Sequence, residues 1–310
     1  MRGLFIMNKP KGPSSAGFLR TMKRTCGINE KIGHGGTLDP QADGVLVVGV
    51  GRACTKQLDT ILKGKDKMYR VTICLGATSD TDDAQGKIIK QSSIPSLRES
   101  DVKRELAILA DQKEQLPPVF SAIKQGGVPA YKKARKNQKV IRAPRAVTLY
   151  SYELESFKKE DDNTYTLILS IVVSSGFYVR SLARDLGERL LSGGYVTSLS
   201  RTGVGEYMIE KALSLEELTS GTVELSACLH GTVQGVGMRR FIEKRALQYG
   251  LKGYVTNNED GSVSVCVQGK HTEIQYFLPN IEKGPHSSII EDILPVIQKP
   301  TTLYTSFSIL

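Results

Sequence analysis

Hydrophobic and polar positions divide the first two thirds of the chain into short strands and helices that follow one another. Leu4 to Met7 is an apolar run typical of a buried strand, and Thr164 to Val173 has the pattern of a second strand. Ser15 to Thr25 and Tyr178 to Leu191 are predicted to be helices, and a pair of glycines ends the second. The pattern predicts an α/β (α+β) fold without an internal repeat.

The pattern starts again after a short linker at residues 219–222. Strands are expected at 223–229, 251–257 and 262–267, helices at 238–249 and 272–281, and a final pair of strands before Leu310. This order of elements, βαββαβ over about ninety residues, is that of a ferredoxin-like sandwich. The chain is therefore expected to contain two domains, which its length of 310 residues also favours.

Composition excludes several classes of protein. With 40% apolar and 24% charged residues, the chain is neither fibrous nor of low complexity. It has no run of the ~20 apolar residues that a membrane helix needs. Its five cysteines are scattered, which argues against a disulfide framework and a zinc site. Because the apolar run at Gly3 to Met7 is shorter than the core of a secretory signal, we expect a cytoplasmic protein with no membrane partner.

The charge of the chain is concentrated in one part. Residues 221–310 hold eight Lys and Arg against eight Asp and Glu, so the whole net charge of +10 belongs to residues 1–220. A basic excess confined to one domain favours a polyanion as partner, with RNA or DNA ahead of a membrane surface. A charge that only keeps the protein soluble is an equally open alternative at this point.

The densest basic segment runs from Lys124 to Arg145, and we call it the basic arm. It contains eight Lys and Arg and no acidic residue. Its two glycines and two prolines predict a long, mobile and mostly irregular segment. Such an arm suits a phosphodiester backbone, on which it would become ordered. The alternative is a solvated surface loop.

Asp80, Asp82 and Asp83 resemble part of a calcium-binding loop, but the pattern fails. An EF-hand loop needs glycine at its sixth position and glutamate at its twelfth. Those positions are Gln85 and Gln91 in this chain. A turn satisfied by Asx hydrogen bonds is the better interpretation. The four histidines are also too dispersed to predict a metal site.

The first candidate site is the glycine-rich stretch Gly33 to Leu46, GHGGTLDPQADGVL. Its glycines allow RNA or a substrate to approach the backbone closely, and the carboxylate of Asp39 can act as a nucleophile or a base. Pro40 fixes the backbone behind that carboxylate. Taken alone, an Asp-Pro pair in a glycine-rich loop is more often a plain turn.

This stretch and NKPKGPSS at residues 8–15 resemble the TruB family of tRNA pseudouridine synthases. The resemblance continues in order through GRACTKQLD, KDKMYRVTICLGATSDTDDAQG, LPPVFSAIKQGGVPAYKKAR and SSGFYVRSLARDLGERL, and it covers roughly residues 3–218. It implies a mixed sheet with flanking helices and the isomerisation of a uridine in the T-loop of tRNA. It also implies that no metal or organic cofactor is required.

By this resemblance Asp39 is the catalytic aspartate and Arg180 its partner, whose charge favours the ionised carboxylate. Tyr69 stacks on the extruded base, and His34 helps to flip the nucleotide. Lys9, in the NKPxG loop, belongs to the same site and is implied to bind the RNA. These roles agree with the chemistry, because a uridine in a folded RNA loop has to leave the stack before its glycosidic bond is accessible.

The basic arm would be the flexible thumb that grips the T-arm stem-loop of tRNA. The RNA-binding residues implied there are Lys124, Lys132, Lys133, Arg135, Lys136 and Arg145. The C-terminal RNA-binding module of the PUA type, which the family carries, is absent from this sequence. We therefore expect a stand-alone enzyme of the bacterial type with no obligate protein partner.

The second candidate site is HGTVQGVGMRRF, residues His230 to Phe241. Here a strand passes through a glycine-rich loop into a helix, so several backbone N–H groups converge with the helix N-terminus. Such a nest binds an anion, and Arg239 in the first helical turn adds a charge-assisted hydrogen bond. A GxxxxG loop alone is weak support for this interpretation.

Together with GYVTNNEDGSV at residues 253–263, Gly284-Pro285 and the closing FSIL, this loop resembles acylphosphatase across the whole second domain. The resemblance implies that Arg239 binds the phosphate of a small acyl phosphate, that Asn257 orients the attacking water, and that no metal takes part. The phosphate cradle that it implies consists of Val233, Gln234, Gly235, Val236, Gly237, Met238 and Arg239. A non-catalytic module that docks or supports RNA is the alternative.

The sequence thus predicts a TruB-like synthase domain at 1–218 and an acylphosphatase-like domain at 222–310. Two other classes stay open, a non-catalytic RNA-binding protein and a metabolic phosphatase with a vestigial RNA domain. The presence of Asp39, Tyr69 and Arg180 counts against the first. The basic charge of the synthase-like part counts against the second.

Overall fold

The chain in this computed structural model divides into two compact units. The first consists of the chain up to Lys63 together with Glu206–Leu310, and the second is Gly64–Gly205. The structure describes residues 2–121, 123–136, 138–161 and 163–310, with only the backbone described at 124–125. The units do not follow the junction near residue 220 that the sequence predicts, since residues of both predicted domains share the first unit.

Short strands and helices alternate through the described residues. The strands in chain order are β1 (Gly3–Lys9), β2 (Ile32–Gly35), β3 (Ala42–Val50), β4 (Lys67–Leu75), β5 (Ala77–Ser79), β6 (Ile88–Lys90), β7 (Glu114–Gln115), β8 (Lys124–Gln125), β9 (Val128–Pro129), β10 (Arg145–Ala146), β11 (Leu149–Asp161), β12 (Thr164–Val173), β13 (Gly194–Val204), β14 (Tyr207–Met208), β15 (Thr222–Thr232), β16 (Lys252–Asn257), β17 (Val263–Lys270), β18 (Ile289–Ile293), β19 (Val296–Gln298) and β20 (Phe307–Ile309). The helices are α1 (Ser15–Thr25), α2 (Arg52–Leu62), α3 (Glu99–Asp111), α4 (Ala130–Ala134), α5 (Val179–Arg189), α6 (Leu215–Ser220), α7 (Met238–Gln248) and α8 (His271–Lys283), with a 3₁₀ turn at Ile209–Lys211. None of the helices in the described ranges is long and apolar enough to cross a bilayer.

The first unit is built on a mixed sheet with the strand order β3-β1-β19-β15-β17-β16-β20. β1 is antiparallel to β3 and parallel to β19, and β15 is antiparallel to both β19 and β17. The part from β15 onward, with α7 and α8 as its helices, confirms the predicted ferredoxin-like sandwich. β20 adds a further strand at its edge, parallel to β16.

The second unit is built on an antiparallel sheet with the order β11-β12-β4-β13. β4 lies at its centre and is paired along both edges, whereas β11 forms one edge and carries mostly exposed or half-buried side chains. α5 packs against β13, and α3 packs against α5 and β11. The mixed α/β class predicted for the chain is the one observed.

The basic arm has more regular structure than the sequence predicts. β8 and β9 form a short hairpin around Gly126 and Gly127, which both have positive φ, 60° and 80°. Two adjacent residues with positive φ are what a tight hairpin turn requires, and glycine adopts that conformation without strain. One helical turn, α4, follows, and residues 138–144 form no helix or strand. The prediction of an irregular arm therefore holds only for this later part.

The acidic stretch at residues 80–83 forms the turn that the sequence predicts. Asp80 Oδ1 accepts the backbone N–H of Lys87 at 2.8 Å, and Asp83 Oδ1 accepts that of Gln85 at 3.0 Å. The second of these is an Asx turn, in which a side-chain oxygen binds the N–H two residues further on. The carboxylates at 80 and 83 are therefore engaged with the backbone of their own loop.

Candidate functional site

Asp39 lies in the short connection between β2 and β3, at the end of the sheet where β1 finishes. Its side chain is half-buried, and its carbonyl accepts the N–H of Ala42, the first residue of β3, at 3.1 Å. His34 lies in β2 opposite Val48 of β3 and is also half-buried. The glycine-rich segment thus presents both predicted residues from one turn and the strand before it.

One hydroxyl group forms hydrogen bonds with both the N–H and the carbonyl of the residue before Asp39. Ser15 Oγ accepts the N–H of Leu38 at 2.9 Å and donates to the carbonyl of Leu38 at 2.8 Å, a pair of bonds that we call the Ser15 clamp. Ser15 and Leu38 are both buried, and Ser15 begins helix α1, which Ser14 caps by accepting the N–H of Gly17. The backbone next to Asp39 is therefore fixed to the end of a helix.

Lys9, which the sequence analysis expects at the RNA, is completely buried. Its Nζ donates to the carbonyl of Pro10 at 2.8 Å and to that of Pro13 at 3.0 Å. Gly12 of the same loop donates its N–H to the carbonyl of Pro40 at 2.8 Å. Since a buried ammonium group needs such acceptors, Lys9 in this structure shapes the loop beside Asp39 and does not offer its charge to a phosphate at the surface.

Tyr69 lies in β4 at the centre of the second unit, between Ile171 of β12 and Arg201 of β13. Its side chain is buried, and so is that of Arg201, which is completely buried. Lys67 lies two residues before Tyr69, on the same face of the strand. Burial lowers the pKa of Lys67, and the charge of Arg201 lowers it further. Two cationic side chains therefore share one face of the sheet with the aromatic ring.

Arg201 is a residue that the sequence analysis missed. β13 alternates with period two, and Arg201 falls in the same phase as the buried residues Leu199 and Gly203. An arginine in the inward phase of a strand is rare unless its charge has a use, and this phase is the signal that identifies it.

Arg180 lies in the first turn of α5, and only 6% of its surface is exposed. Its Nη1 donates to the carbonyl of Thr81 at 3.0 Å, and its Nη2 donates to the carbonyl of Phe120 at 2.9 Å. Asp83 Oδ2 lies 3.7 Å from Nη1, and the Asx turn described above orients this carboxylate. These partners hold the guanidinium in one orientation.

One turn further along α5, Arg184 organises a second ionic cluster. It lies 3.3 Å from Asp82 and 2.7 Å from Asp185, and its Nη2 donates to the carbonyl of Leu116 at 2.9 Å. Burial raises the pKa of Asp82 and that of Asp185, while Arg184 acts in the opposite direction. Arg142 of the basic arm also lowers both pKa values, which places its charge near this cluster.

The basic arm turns most of its charge toward solvent. Its exposed cations are Lys132, Arg135, Lys136, Lys139, Arg142 and Arg145, whereas Lys133 is half-buried and the side chain of Lys124 lies outside the described residues. None of Lys132, Lys133 and Lys136 forms an ion pair with another described residue. A cleft of about 180 Å³ lies beside the later part of the arm, and it is lined by Val140, Ile141, Arg142, Ala143 and Arg145 together with Pro117, Ser121 and Ile123. The arm thus offers positive charge that its own unit does not neutralise.

The loop between β15 and α7 has the geometry of an anion nest. Gly235 and Gly237 have φ of 75° and 79°, and a Cβ on either glycine would project into open space. The backbone N–H groups of residues 234–238 donate to no backbone carbonyl within the described chain. Consecutive N–H groups that are free of partners beside a helix N-terminus are what a phosphate group binds.

The other residues of the second candidate site lie around this loop. Gln234 Nε2 donates to two carbonyls of the turn at 258–262, both at 2.8 Å, and so ties the loop to the end of β16. Asn257, the last residue of β16, is exposed beside that turn. Arg239 follows in the first turn of α7, and its Nη1 donates to the carbonyl of Leu310 at 3.3 Å. Because β15 and β16 run in the same direction, their carboxyl ends bring these residues to one end of the sheet.

The predicted synthase residues are distributed over both units. Asp39 and His34 belong to the first unit, and Tyr69 and Arg180 belong to the second. The pairing of Asp39 with Arg180 and the stacking by Tyr69 stay predictions. Ser15 was not predicted to be a site residue. The signal in the sequence is the pair Ser14 and Ser15, since one serine is enough to cap α1.

Comparison with known proteins gives two matches along the chain. The family model described as TruB family pseudouridylate synthase, N-terminal domain, matches residues 23–179, and the acylphosphatase model matches residues 225–309. The tRNA pseudouridine synthase B of Arthrobacter sp. (strain FB24) is 39% identical over 219 residues, which is 70% of this chain and 71% of that protein. The protein of the same name from Mycobacteroides abscessus is 40% identical over 233 residues, 74% of this chain and 77% of that protein. A chain in the solved structure of a Cbf5-Nop10-Gar1 complex is similar in fold, with a TM-score of 0.53 and 19% identity, over 94% of this chain and 84% of that chain.

Replacing Ser15 with alanine leaves the N–H and the carbonyl of Leu38 buried without their partner. At about 1–3 kcal/mol for each of the two unsatisfied groups, we expect the free energy of unfolding to fall by about 2–6 kcal/mol in a urea titration. Hydrogen exchange at Leu38 should become faster. The matched control is Ser14→Ala, which removes only the helix cap, at a cost of about 1 kcal/mol. Equal losses in the two variants, with unchanged exchange at Leu38, would contradict the Ser15 clamp.

Proposed function

Because the chain belongs to the TruB family of pseudouridylate synthases, we propose that it converts a uridine of tRNA to pseudouridine, and that this uridine lies in the T-loop. The observation that carries the proposal is 39% identity to a tRNA pseudouridine synthase B over 70% of this chain. The matched ranges, 23–179 and 225–309, fall inside the two domains expected at 1–218 and 222–310, which we retain as the functional domains.

The proposed reaction is an isomerisation in which no atom is gained or lost. The bond between N1 of the uracil and C1′ of the ribose breaks, the base rotates, a bond forms between C5 and C1′, and the proton on C5 moves to N1 by way of a base. Asp39 acts as the nucleophile or base that lets the uracil detach. The fixed backbone on both sides of Asp39 supports this role, because a turn that is already held loses little freedom when the extruded base arrives. None of these steps uses a metal or an organic cofactor.

The other site residues take supporting roles in this proposal. Arg180 pairs with the carboxylate of Asp39, for which a guanidinium held by two carbonyls is well suited. Tyr69 stacks on the extruded uracil and accepts the C5 proton. His34 takes part in moving the nucleotide out of the stack.

The basic arm grips the T-arm of the tRNA in this proposal. Lys132 and Lys136 support it, because they are exposed, and an exposed lysine that forms no ion pair with another described residue is available to neutralise a phosphate. The hairpin β8–β9 before these cations gives the arm a stem from which it can close on the RNA. The cytoplasmic location and the lack of an obligate protein partner stay predictions of the sequence.

The second activity proposed is the hydrolysis of a small acyl phosphate at the loop between β15 and α7. The free N–H groups of residues 234–238 and the charge of Arg239 bind the phosphate, and Asn257 orients the water that attacks it. The support is that these groups lie at one end of the sheet, where two hydrogen bonds from Gln234 hold the loop against the turn after β16. The alternative is a docking or RNA-supporting module, for which the nest would bind a phosphate without turnover.

Replacing Asp39 with asparagine tests the synthase assignment. Because the proposed role of the carboxylate is chemical, Asp39→Asn should abolish pseudouridine formation in a T-arm stem-loop and leave RNA binding within a few-fold. The control is Asp43→Asn, which removes a neighbouring carboxylate 3.7 Å from Lys11 and should keep most of the activity. Substantial turnover in the Asp39 variant would remove Asp39 from the reaction.

Neutralising the arm tests the RNA interface. Changing Lys132, Lys133, Arg135 and Lys136 to glutamine should weaken tRNA binding and reduce the slope of log affinity against log salt by ~0.7–0.9 for each phosphate that the arm no longer neutralises. A variant with equal charge change elsewhere is the control, with glutamine at the exposed positions Lys244, Lys252, Lys270 and Lys283. If both variants keep the slope of the unchanged protein, the arm is a solvated loop.

Changes at the nest separate binding from turnover in the full chain. Arg239→Ala should abolish both the hydrolysis of benzoyl phosphate and the inhibition by inorganic phosphate, because the free amides lack its full charge. Asn257→Ala should keep phosphate inhibition and lose turnover, because orienting water affects the rate and not ground-state binding. Arg240→Ala, an exposed neighbour, is the control. A chain that binds phosphate but never hydrolyses benzoyl phosphate would support the docking alternative.

A further inference from the structure

The acylphosphatase-like segment, residues 222–310, is joined to the N-terminal strand by backbone hydrogen bonds. β19 runs parallel to β1 and pairs with it at Leu4 and Phe5. The N–H of Leu4 donates to the carbonyl of Pro295 at 2.8 Å. The approach is close at Gly3, where a Cβ would lie 2.6 Å from that carbonyl oxygen. The segment therefore continues the sheet in which β1 lies.

The chain just before the segment completes the same edge of β1. Leu213 donates its N–H to the carbonyl of Ile6 and accepts the N–H of Asn8, both at 2.8 Å. β3 pairs with the opposite edge along the whole of β1. One edge of β1 is thus closed by β3, and the other is closed by Leu213, Pro295 and β19.

Side chains extend this connection into one hydrophobic cluster. β1 and α1 contribute buried residues to it, and so do the strands and helices of the acylphosphatase-like segment; members from both sides are Phe5, Met7, Phe18, Met22, Val223, Leu225, Ile242 and Ile297. Because protein interiors are close-packed, a hole in such a cluster displaces above all the residues that pack directly around it.

The groups that position Asp39 are carried by β1 and α1. Lys9 shapes the loop after β1, Gly12 in that loop holds Pro40, and Ser15 at the start of α1 holds Leu38. Both flanks of Asp39 are therefore tied to elements whose own position depends on β19 and the shared cluster.

The nest and Asp39 lie at opposite ends of this sheet, measured along the strands. Leu4 of β1 pairs with Val296 of β19, and Val296 pairs with Ser226 of β15, so these three residues lie at the same height in the sheet. β15 runs antiparallel to β1. Lys9 lies five residues beyond Leu4, and Thr232 lies six residues beyond Ser226 in the opposite direction. At ~3.3 Å per residue, Lys9 and Thr232 are therefore separated by about 36 Å along the strands. A ligand in the nest therefore does not touch the Asp39 loop, and any influence between them passes through the strands.

We propose that residues 222–310 have a second role as the support that positions the Asp39 loop for the synthase reaction. This role rests on the proposed synthase function and does not depend on whether the nest hydrolyses acyl phosphates. The residue that carries it most directly is Ile297, which is completely buried and pairs with Phe5 of β1. Ile297 is a positioning residue, since it acts on Asp39 through β1.

The test compares two buried isoleucines of the same cluster in the full chain. Ile297→Ala should lower the maximal rate of pseudouridine formation about three- to tenfold, since small displacements of a catalytic group have effects of at least this size. Its KM for tRNA should stay within about twofold, because no RNA contact is removed. Ile242→Ala makes an equal hole on α7, on the far side of the cluster, and should leave the rate within about twofold.

Hydrogen exchange separates a local effect from a general loss of stability. At a temperature where both variants are folded, Ile297→Ala should speed exchange at residues 4–9 and 38–42, and Ile242→Ala should not. If the alanine variants do not fold, Ile297→Val and Ile242→Val make the same comparison with a smaller change. Equal rates and equal exchange in the two variants would overturn the supporting role. If the unchanged chain forms no pseudouridine in tRNA, the synthase proposal itself is wrong.

Discussion

The backbone of β1 has to find hydrogen-bond partners along both of its edges, and the first unit is organised by this requirement. β3 supplies one edge, and β19 together with Pro295 and Leu213 supplies the other. A buried strand with an open edge would leave polar groups unsatisfied and would invite wrong pairing. The acylphosphatase-like segment is therefore a part of the fold that carries Asp39 and not a body attached by a linker.

A second constraint is the free-energy cost of burying polar groups, and it determines how the loops around the candidate site are held. Ser15, Lys9 and Arg180 are all buried, and each meets the cost through carbonyls of a loop that matters for the site. The bonds that satisfy them are thus the bonds that hold those loops. The basic arm follows the opposite rule, because most of its described cations are exposed to solvent. Side chains with fixed partners and exposed cations therefore lie in different parts of the chain.

The sequence predicted some elements with their bounds and missed others for a visible reason. α1 and β12 have the bounds that the sequence predicts, since each carries a clear apolar pattern and, for α1, a serine cap. β11 and β13 were not predicted. β11 is an edge strand rich in charged residues, and β13 contains serine, threonine, glycine and a buried arginine, so neither has an apolar run. The hairpin of the basic arm was missed because two glycines indicate flexibility and a tight turn equally well.

The sequence by itself determined the two family resemblances, the ferredoxin-like order of the second half and the choice of Asp39, Tyr69, Arg180 and the nest as candidate site residues, because motifs and periodicity are properties of neighbouring residues. Only the tertiary structure decided how these parts are held. The Ser15 clamp joins residues 23 apart, the Arg180 bond to Thr81 joins residues 99 apart, and β1 pairs with β19 across almost the whole chain. Such partners are selected by burial and backbone hydrogen bonding in the folded state, and no local pattern in the sequence specifies them.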